Sequence, residues 1–147
     1  KRAPGNLAAL TNEVVNLYKG AHQHVVFNIF IDESVPVFFF DAVQIKRVLI
    51  NLLDNAVAAL ENTGEITVRL GCDNNKTNVI LQVADNGAGI PDTMKMRIFE
   101  PYFSTRKSGT GLGLAICQTI INEHNGSIRM ADNEPAGAVF TMILPLS

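Results

Sequence analysis

Three islands rich in asparagine, aspartate and glycine, in a fixed order, constrain this chain more than any other feature. They are Asn51-Leu-Leu-Asp-Asn55, Asp85-Asn-Gly-Ala-Gly89 and Gly109-Thr-Gly-Leu-Gly-Leu114. Each falls at a different kind of boundary. The first interrupts the polar face of a helical pattern, the second closes an alternating strand, and the third opens a helix. A fold that uses all three brings a helix face, a strand end and a helix N-terminus to one place.

The rest of the chain supplies those elements. Leu7, Leu10, Val14, Val15 and Leu17 recur at helical spacing, and Gly20 is expected to stop that helix. Residues 25–31 alternate as a strand, a turn at Asp32-Glu-Ser follows, and Val37 to Phe40 reads as a short buried strand. Asp41 is placed to cap a helix running to about Leu60, with Ile45, Val48, Leu49, Leu52, Ala56 and Ala59 as its core stripe. Two strands, 65–70 and 79–84, flank the polar turn 73–78. From Asp85 to Thr110 both periodicities dissolve, with at most a short helix after Pro91; an irregular stretch this long within a compact domain is usually functional. A helix from Gly111 to about His124 and a hairpin of 127–130 with 138–144 complete the pattern. The expectation is an α/β two-layer sandwich: one domain over 1–147, with a mixed sheet of about five strands and about three helices on one face.

At 147 residues, 47% apolar and 18% charged, the chain can bury a substantial core. A net charge of −2 gives no footprint for nucleic acid or for an anionic membrane surface, so attraction of any polyanion must be local. No apolar run approaches the roughly 18 residues of a membrane helix. Cys72 and Cys117 lack metal-ligand spacing and read as an edge and a core cysteine; two thiols without a framework suit a reducing compartment. The opening Lys1-Arg-Ala-Pro, without methionine, reads as a piece of something longer, and the expected compartment is the cytoplasm, whether or not the parent protein is anchored in a membrane.

Arg47, Asn51, Asn55 and Ala58 share a helix face distinct from the apolar stripe. Asparagine is a poor helix-interior residue, so two of them one turn apart need a reason; the plain alternative is two solvated side chains. Magnesium takes hard oxygen ligands and keeps much of its water, so one carboxamide oxygen with phosphates and waters would hold it. Asp85 followed by Asn86-Gly87 looks like a hairpin turn, yet no strand partner follows. Gly87 and Gly89 would instead let backbone approach a flat ligand, with Asp85 accepting from an exocyclic amino group such as that of adenine. Gly109, Thr110, Gly111, Leu112, Gly113 and Leu114 put free amides at a helix N-terminus, which suits an anion; a glycine-rich turn without ligand is the alternative. The Lys-Ser/Thr ending of a Walker loop is missing. Arg106 and Lys107 could clamp phosphates, or be a solvated basic pair. Phe99, Tyr102 and Phe103 are expected to anchor the irregular segment to the core, His22 and His24 to sit at the surface, and His124 to stabilise a helix C-terminus.

These residues together resemble the catalytic and ATP-binding domain of bacterial sensor histidine kinases, within the GHKL superfamily, and the details are most similar to the nitrogen-regulation type. Residues 51–56 resemble the family's asparagine box, 85–89 its first glycine box, 98–105 its phenylalanine box and 109–115 its second glycine box; 124–128 and 140–145 are similar to its ending. The resemblance implies that Asn55 binds Mg²⁺, Asp85 reads the adenine, and about 91–110 form an ATP lid. It also implies nucleotide contacts at Asn51, Ile90, Arg106, Lys107, the second glycine box and Thr141, with Asn51, Asn55 and Arg106 as the catalytic set. The implied cofactors are ATP and Mg²⁺. The implied partners are a helical phosphoacceptor domain of the parent kinase and a cognate response regulator, with no nucleic acid and no direct membrane contact.

Three departures from that pattern stand out. Ala58 and Ala59 occupy positions where many relatives carry a basic and an aromatic residue, Arg106 stands where lysine is frequent, and the family's phosphoacceptor histidine, on a separate helical hairpin, is absent: none of His22, His24 and His124 sits in such a motif. The resemblance also separates kinase from ATPase. Gyrase, mismatch-repair and heat-shock relatives carry a water-activating glutamate one turn before the magnesium asparagine. Asn51 holds that position here and cannot take a proton, which favours transfer to an acceptor that is already nucleophilic.

Overall fold

The structure, a computed structural model, describes residues 1–101, 103 and 113–147. In chain order the elements are β1 (Ala3–Gly5), α1 (Leu7–Ala21), β2 (Val25–Ile31), β3 (Phe38–Phe40), α2 (Ala42–Ala59), β4 (Gly64–Cys72), β5 (Asn78–Asp85), a 3₁₀ turn (Asp92–Met94), α3 (Gly113–Glu123), β6 (Ser127–Asp132) and β7 (Ala138–Pro145). Five strands form a mixed sheet in the order β2-β4-β5-β7-β6, with β2 and β4 parallel and the other pairs antiparallel. The expected five-strand, three-helix sandwich is what forms.

Helix α2 is the central element. Asp41 caps it by accepting from Gln44 N–H at 3.1 Å, satisfying one of the donors a helix start leaves free. Its side chains Ile45, Val48, Leu49, Leu52 and Leu53 are at most 1% exposed. They meet one face of the sheet, where Ile66 and Val68 of β4, Leu81 and Val83 of β5 and Met142 of β7 are equally buried. At about 1.5–3 kcal/mol for each large side chain taken from water, this one layer supplies most of the force holding α2 to the sheet. The strict alternation of burial along β5 ends on Asp85, which therefore turns toward the helices like the valines and leucine before it.

Two local outcomes differ from expectation. Phe38–Phe40 does not join the main sheet; it pairs with β1 in a separate two-stranded ribbon, Ala3 opposite Phe40. Ala-Pro-Gly has no strand propensity of its own, so β1 is a product of that pairing. Gly20 is carried inside the last turn of α1, which ends at Ala21 with His22 as its cap. His124 sits at the end of α3, where it was expected, and is buried: its Nε2 accepts from Asp41 N–H at 3.0 Å, and its Nδ1 lies 2.8 Å from the Ile120 carbonyl. An amide can only donate, so Nδ1 carries the proton and the ring is neutral. It ties the end of α3 to the start of α2.

Candidate functional site

One cavity of about 890 Å³ opens between α2, the end of β5, the start of α3 and the segment that follows Asp85. Asn51, Asn55, Asp85, Gly89, Ile90, Gly113 and Leu114 all line it. The three islands, separated by up to sixty residues of chain, therefore meet in space.

The Asp85 end is fixed by backbone. The residue is 3% exposed, and its Oδ1 accepts from Gly87 N–H at 2.9 Å. Burial pushes the carboxyl above the usual carboxylate range, while the Gly87 and Ala138 amides pull it partly back. Its main-chain carbonyl accepts from Asn133 Nδ2 at 2.7 Å, and Asn86 Oδ1 accepts from Glu65 N–H at 2.9 Å. A side chain at Gly137, whose φ is +103°, would sit 1.9 Å from the Asp85 carbonyl. The result is a buried acceptor on the cavity wall, held by its own turn and by the Ala138 amide.

Gly87 and Gly89 are placed differently. A Cβ there would lie 2.3 Å from the Ala59 carbonyl, so its missing side chain admits the end of α2, and it does not line the cavity. Gly89, with φ +78°, does line it. Thr141 faces away from the cavity wall. Its hydroxyl accepts from Gln82 Nε2 at 3.2 Å, and along β7 it points opposite to Ala138 and Phe140, which are the two residues of that strand on the cavity wall.

The Asn end is more open. Asn51 and Asn55 are half-buried, and Asn51 Nδ2 donates to the Arg47 carbonyl at 3.1 Å. A Cβ on Gly113 would lie 2.9 Å from Asn51 Oδ1, so α3 starts directly against this carboxamide. The Asn55 carboxamide bonds to no other described residue. Its free oxygen fits a magnesium ion that brings phosphate and water ligands of its own. No cluster of three or more His, Cys, Asp or Glu able to hold a metal ion exists among the described residues. Arg106, Lys107, Gly109, Thr110, Gly111 and Leu112 lie outside the described residues, as does Tyr102. Phe99 and Phe103 pack on the core as expected, Phe99 edge-on to Phe140 at 6.3 Å, and Phe103 reaches the cavity.

Sequence reasoning missed His22, Asp54 and Glu61, all on the cavity wall. Asp54 accepts from the Tyr18 hydroxyl at 2.5 Å, and Tyr18 stacks on His22 with ring centres 5.7 Å apart. The four-residue spacing of Tyr18 and His22 was the available signal. Of the two thiols, Cys117 is buried and pushed up to about 12, chiefly by desolvation, and Cys72 is half-exposed, as an edge and a core cysteine should be.

Residues 40–147 match the model of the family described as histidine kinase-, DNA gyrase B-, and HSP90-like ATPase. The chain belongs to that family. It is 39% identical over 144 residues to the signal transduction histidine-protein kinase AtoS of Escherichia coli, covering 97% of this chain and 24% of AtoS. Against the nitrogen regulation protein NtrY of Azorhizobium caulinodans it is 33% identical over 132 residues, covering 86% of this chain and 17% of NtrY. The chain thus spans a quarter or less of these relatives. The nucleotide-free catalytic domain of the histidine kinase ThkA superposes with a TM-score of 0.89 at 35% identity, over 99% of this chain and 98% of that one. ThkA has also been solved in complex with the response regulator TrrA, and that kinase chain superposes with a TM-score of 0.85 at 33% identity, over 99% of this chain and 42% of its own length. The domain is therefore the catalytic ATPase part of the sensor histidine kinase type. No helix among the described residues is long and apolar enough to cross a membrane.

Proposed function

We propose that this domain binds Mg·ATP and presents the γ-phosphate to a histidine on a separate helical domain of the same sensor kinase. The observation that carries the reading is the shared cavity, with a buried carboxylate at one end and a free carboxamide beside a helix start at the other. Asp85 accepts from the adenine amino group. Asn55 offers its oxygen to the metal, which when bound neutralises charge on the phosphate oxygens. The start of α3 lies toward the polyphosphate, as the N-terminal amides of a helix suit an anion. Arg106 and Lys107 are assigned to the phosphates by the family pattern. Catalysis is positioning and charge neutralisation: the acceptor imidazole nitrogen bonds to the γ-phosphorus as its bond to the β,γ-bridging oxygen breaks, releasing ADP and a proton. A response regulator then takes the phosphoryl group.

Asn51 argues against steady-state hydrolysis. Its amide nitrogen is committed to the Arg47 carbonyl, and a carboxamide cannot accept a proton from water. The experiment is to supply the helical acceptor domain with this chain and [γ-³²P]ATP. Acid-labile label on the acceptor, and none on this chain alone, is the expected outcome. Nucleotide binding without any transfer would favour the second reading, a regulatory module that only senses ATP or ADP; Ala58 and Ala59 on the cavity wall are what recommend it.

A further inference from the structure

Resting on the nucleotide reading above, we propose that His22 is a further ligand-binding residue, donating a hydrogen bond to the sugar-proximal (α) phosphate of the bound nucleotide. Three observations meet on it. First, His22 lines the same cavity as Asn55 and Asp85, although it belongs to α1 and not to any of the three islands. Second, it is held there. Tyr18, one turn earlier, donates its hydroxyl to Asp54 at 2.5 Å and stacks its ring on the imidazole at an interplanar angle of 21°. The imidazole thus packs beside Tyr18, with the His24 ring 6.3 Å away at 68°, and its nitrogens bond to no other described residue. Tyr18 meets α2 at the level of Ile50 and Asp54, so a residue one turn farther along α1 stands near the level of Ala58. That level lies between the metal-side Asn55 and the base-side Ala59, which is where the sugar and first phosphate of a nucleotide spanning the two ends would pass.

Third, the charges around the site call for such a group. Asp54, Glu61 and Asp85 line the cavity, and His22 is the one side chain among its described lining residues that can carry positive charge. Ala58 offers neither bulk nor charge, and no residue of α2 that lines the cavity carries a positive charge. An imidazole N–H is a competent phosphate donor in either charge state, since even the neutral ring carries one.

Calorimetric titration of this chain and its variants with adenosine, AMP, ADP and ATP tests the assignment. His22→Phe keeps an aromatic ring for Tyr18 to stack on and removes only the donor. The expected result is that AMP, ADP and ATP each weaken about ten- to a hundredfold, the scale of one lost hydrogen bond to a charged group, while adenosine binds as before. His22→Gln, which restores an N–H, should recover most of the loss. Thermal unfolding of both variants checks that α1 is intact. Unchanged binding of every ligand by His22→Phe would show that the ring only packs on Tyr18. Equal weakening of adenosine would move the contact to the sugar or base, and weakening of ATP alone would move it to the far phosphates. Each of these three overturns the proposal while leaving the nucleotide site standing. If the unaltered chain bound no adenine nucleotide, or Asp85→Asn bound it equally well, the site reading itself would fall.

Discussion

The two ends of the cavity are built by opposite means. At the Asp85 end nearly every atom is fixed by main chain: the Gly87 turn, the Ala59 carbonyl against it, and Gly137 lying over the Asp85 carbonyl. At the Asn55 end the polar groups are side chains on helix faces, half-exposed and short of protein partners. A preformed acceptor in a dry turn discriminates by leaving a buried group unsatisfied when the wrong ligand enters. An open end of carboxamides and helix amides accommodates a flexible, hydrated, metal-bearing tail. On the proposed nucleotide reading, recognition is concentrated at one end and chemistry at the other.

The sharpest way to break that comparison is at Gly137. Alanine there would force its Cβ to 1.9 Å from the Asp85 carbonyl at a φ of +103°, where an L side chain is already strained. We expect Gly137→Ala to destabilise the domain by about 3 kcal/mol or more, read as a lower midpoint in denaturant unfolding. A glycine at the open end should tolerate more. Gly113→Ala meets only the movable Asn51 carboxamide, at 2.9 Å, and should cost about 1 kcal/mol or less in the same measurement. Equal losses would mean that both ends are equally rigid.

Asp85→Asn separates recognition from stability. It keeps the shape, removes a charge that burial disfavours, and turns an acceptor toward mixed character. Adenine nucleotides should weaken by about 1–3 kcal/mol in calorimetry, while thermal stability holds or rises slightly. Asn55→Ala should have a smaller and different effect. Affinity for ATP without magnesium stays close to the unaltered value, and the gain from adding Mg²⁺ shrinks by about 1 kcal/mol. A matching loss of adenosine binding would contradict the division of labour between the ends.

The elements around this cavity were largely legible in the sequence, because each is written as a short-range pattern. The 3.6-residue stripe from Ile45, the Asp41 cap and the alternation of β5 down to Asp85 all translate into one helix and one strand in the places expected. What was not legible depends on contacts between distant segments. β1 exists only because Phe38–Phe40 pairs with it. Gly87 looks identical whether it faces a ligand or the Ala59 carbonyl, and only the packing of α2 on β5 decides. Thr141 was assigned to the site by the family pattern, but alternation along β7 turns it to the other face and leaves Ala138 against Asp85. His22 looked like a surface residue because what holds its neighbour Tyr18 in place, the bond to Asp54 of α2, spans 36 residues of chain.

The smallest expected effect, and the most specific to the dry end, is a dependence on pH. Asp85 has its pKa raised in the folded protein, mainly by burial, relative to its ordinary value when unfolded. Above the folded value the charged group is a cost to stability. As pH falls through that value, the native state takes up a proton before the unfolded chain does, so the cost is relieved and ligand-free stability gains from this group. Adenosine, held by the ionised carboxylate, should respond in the reverse sense: its affinity falls over the same window, between neutrality and the ordinary carboxylate range near roughly pH 4. Adenosine is the right ligand because it has no phosphates to titrate. Near the midpoint its binding should release a proton, giving a calorimetric enthalpy that depends on the ionisation heat of the buffer. Asp85→Asn should abolish both the pH dependence and the buffer dependence, whereas Asn55→Ala, at the wet end, should leave both intact.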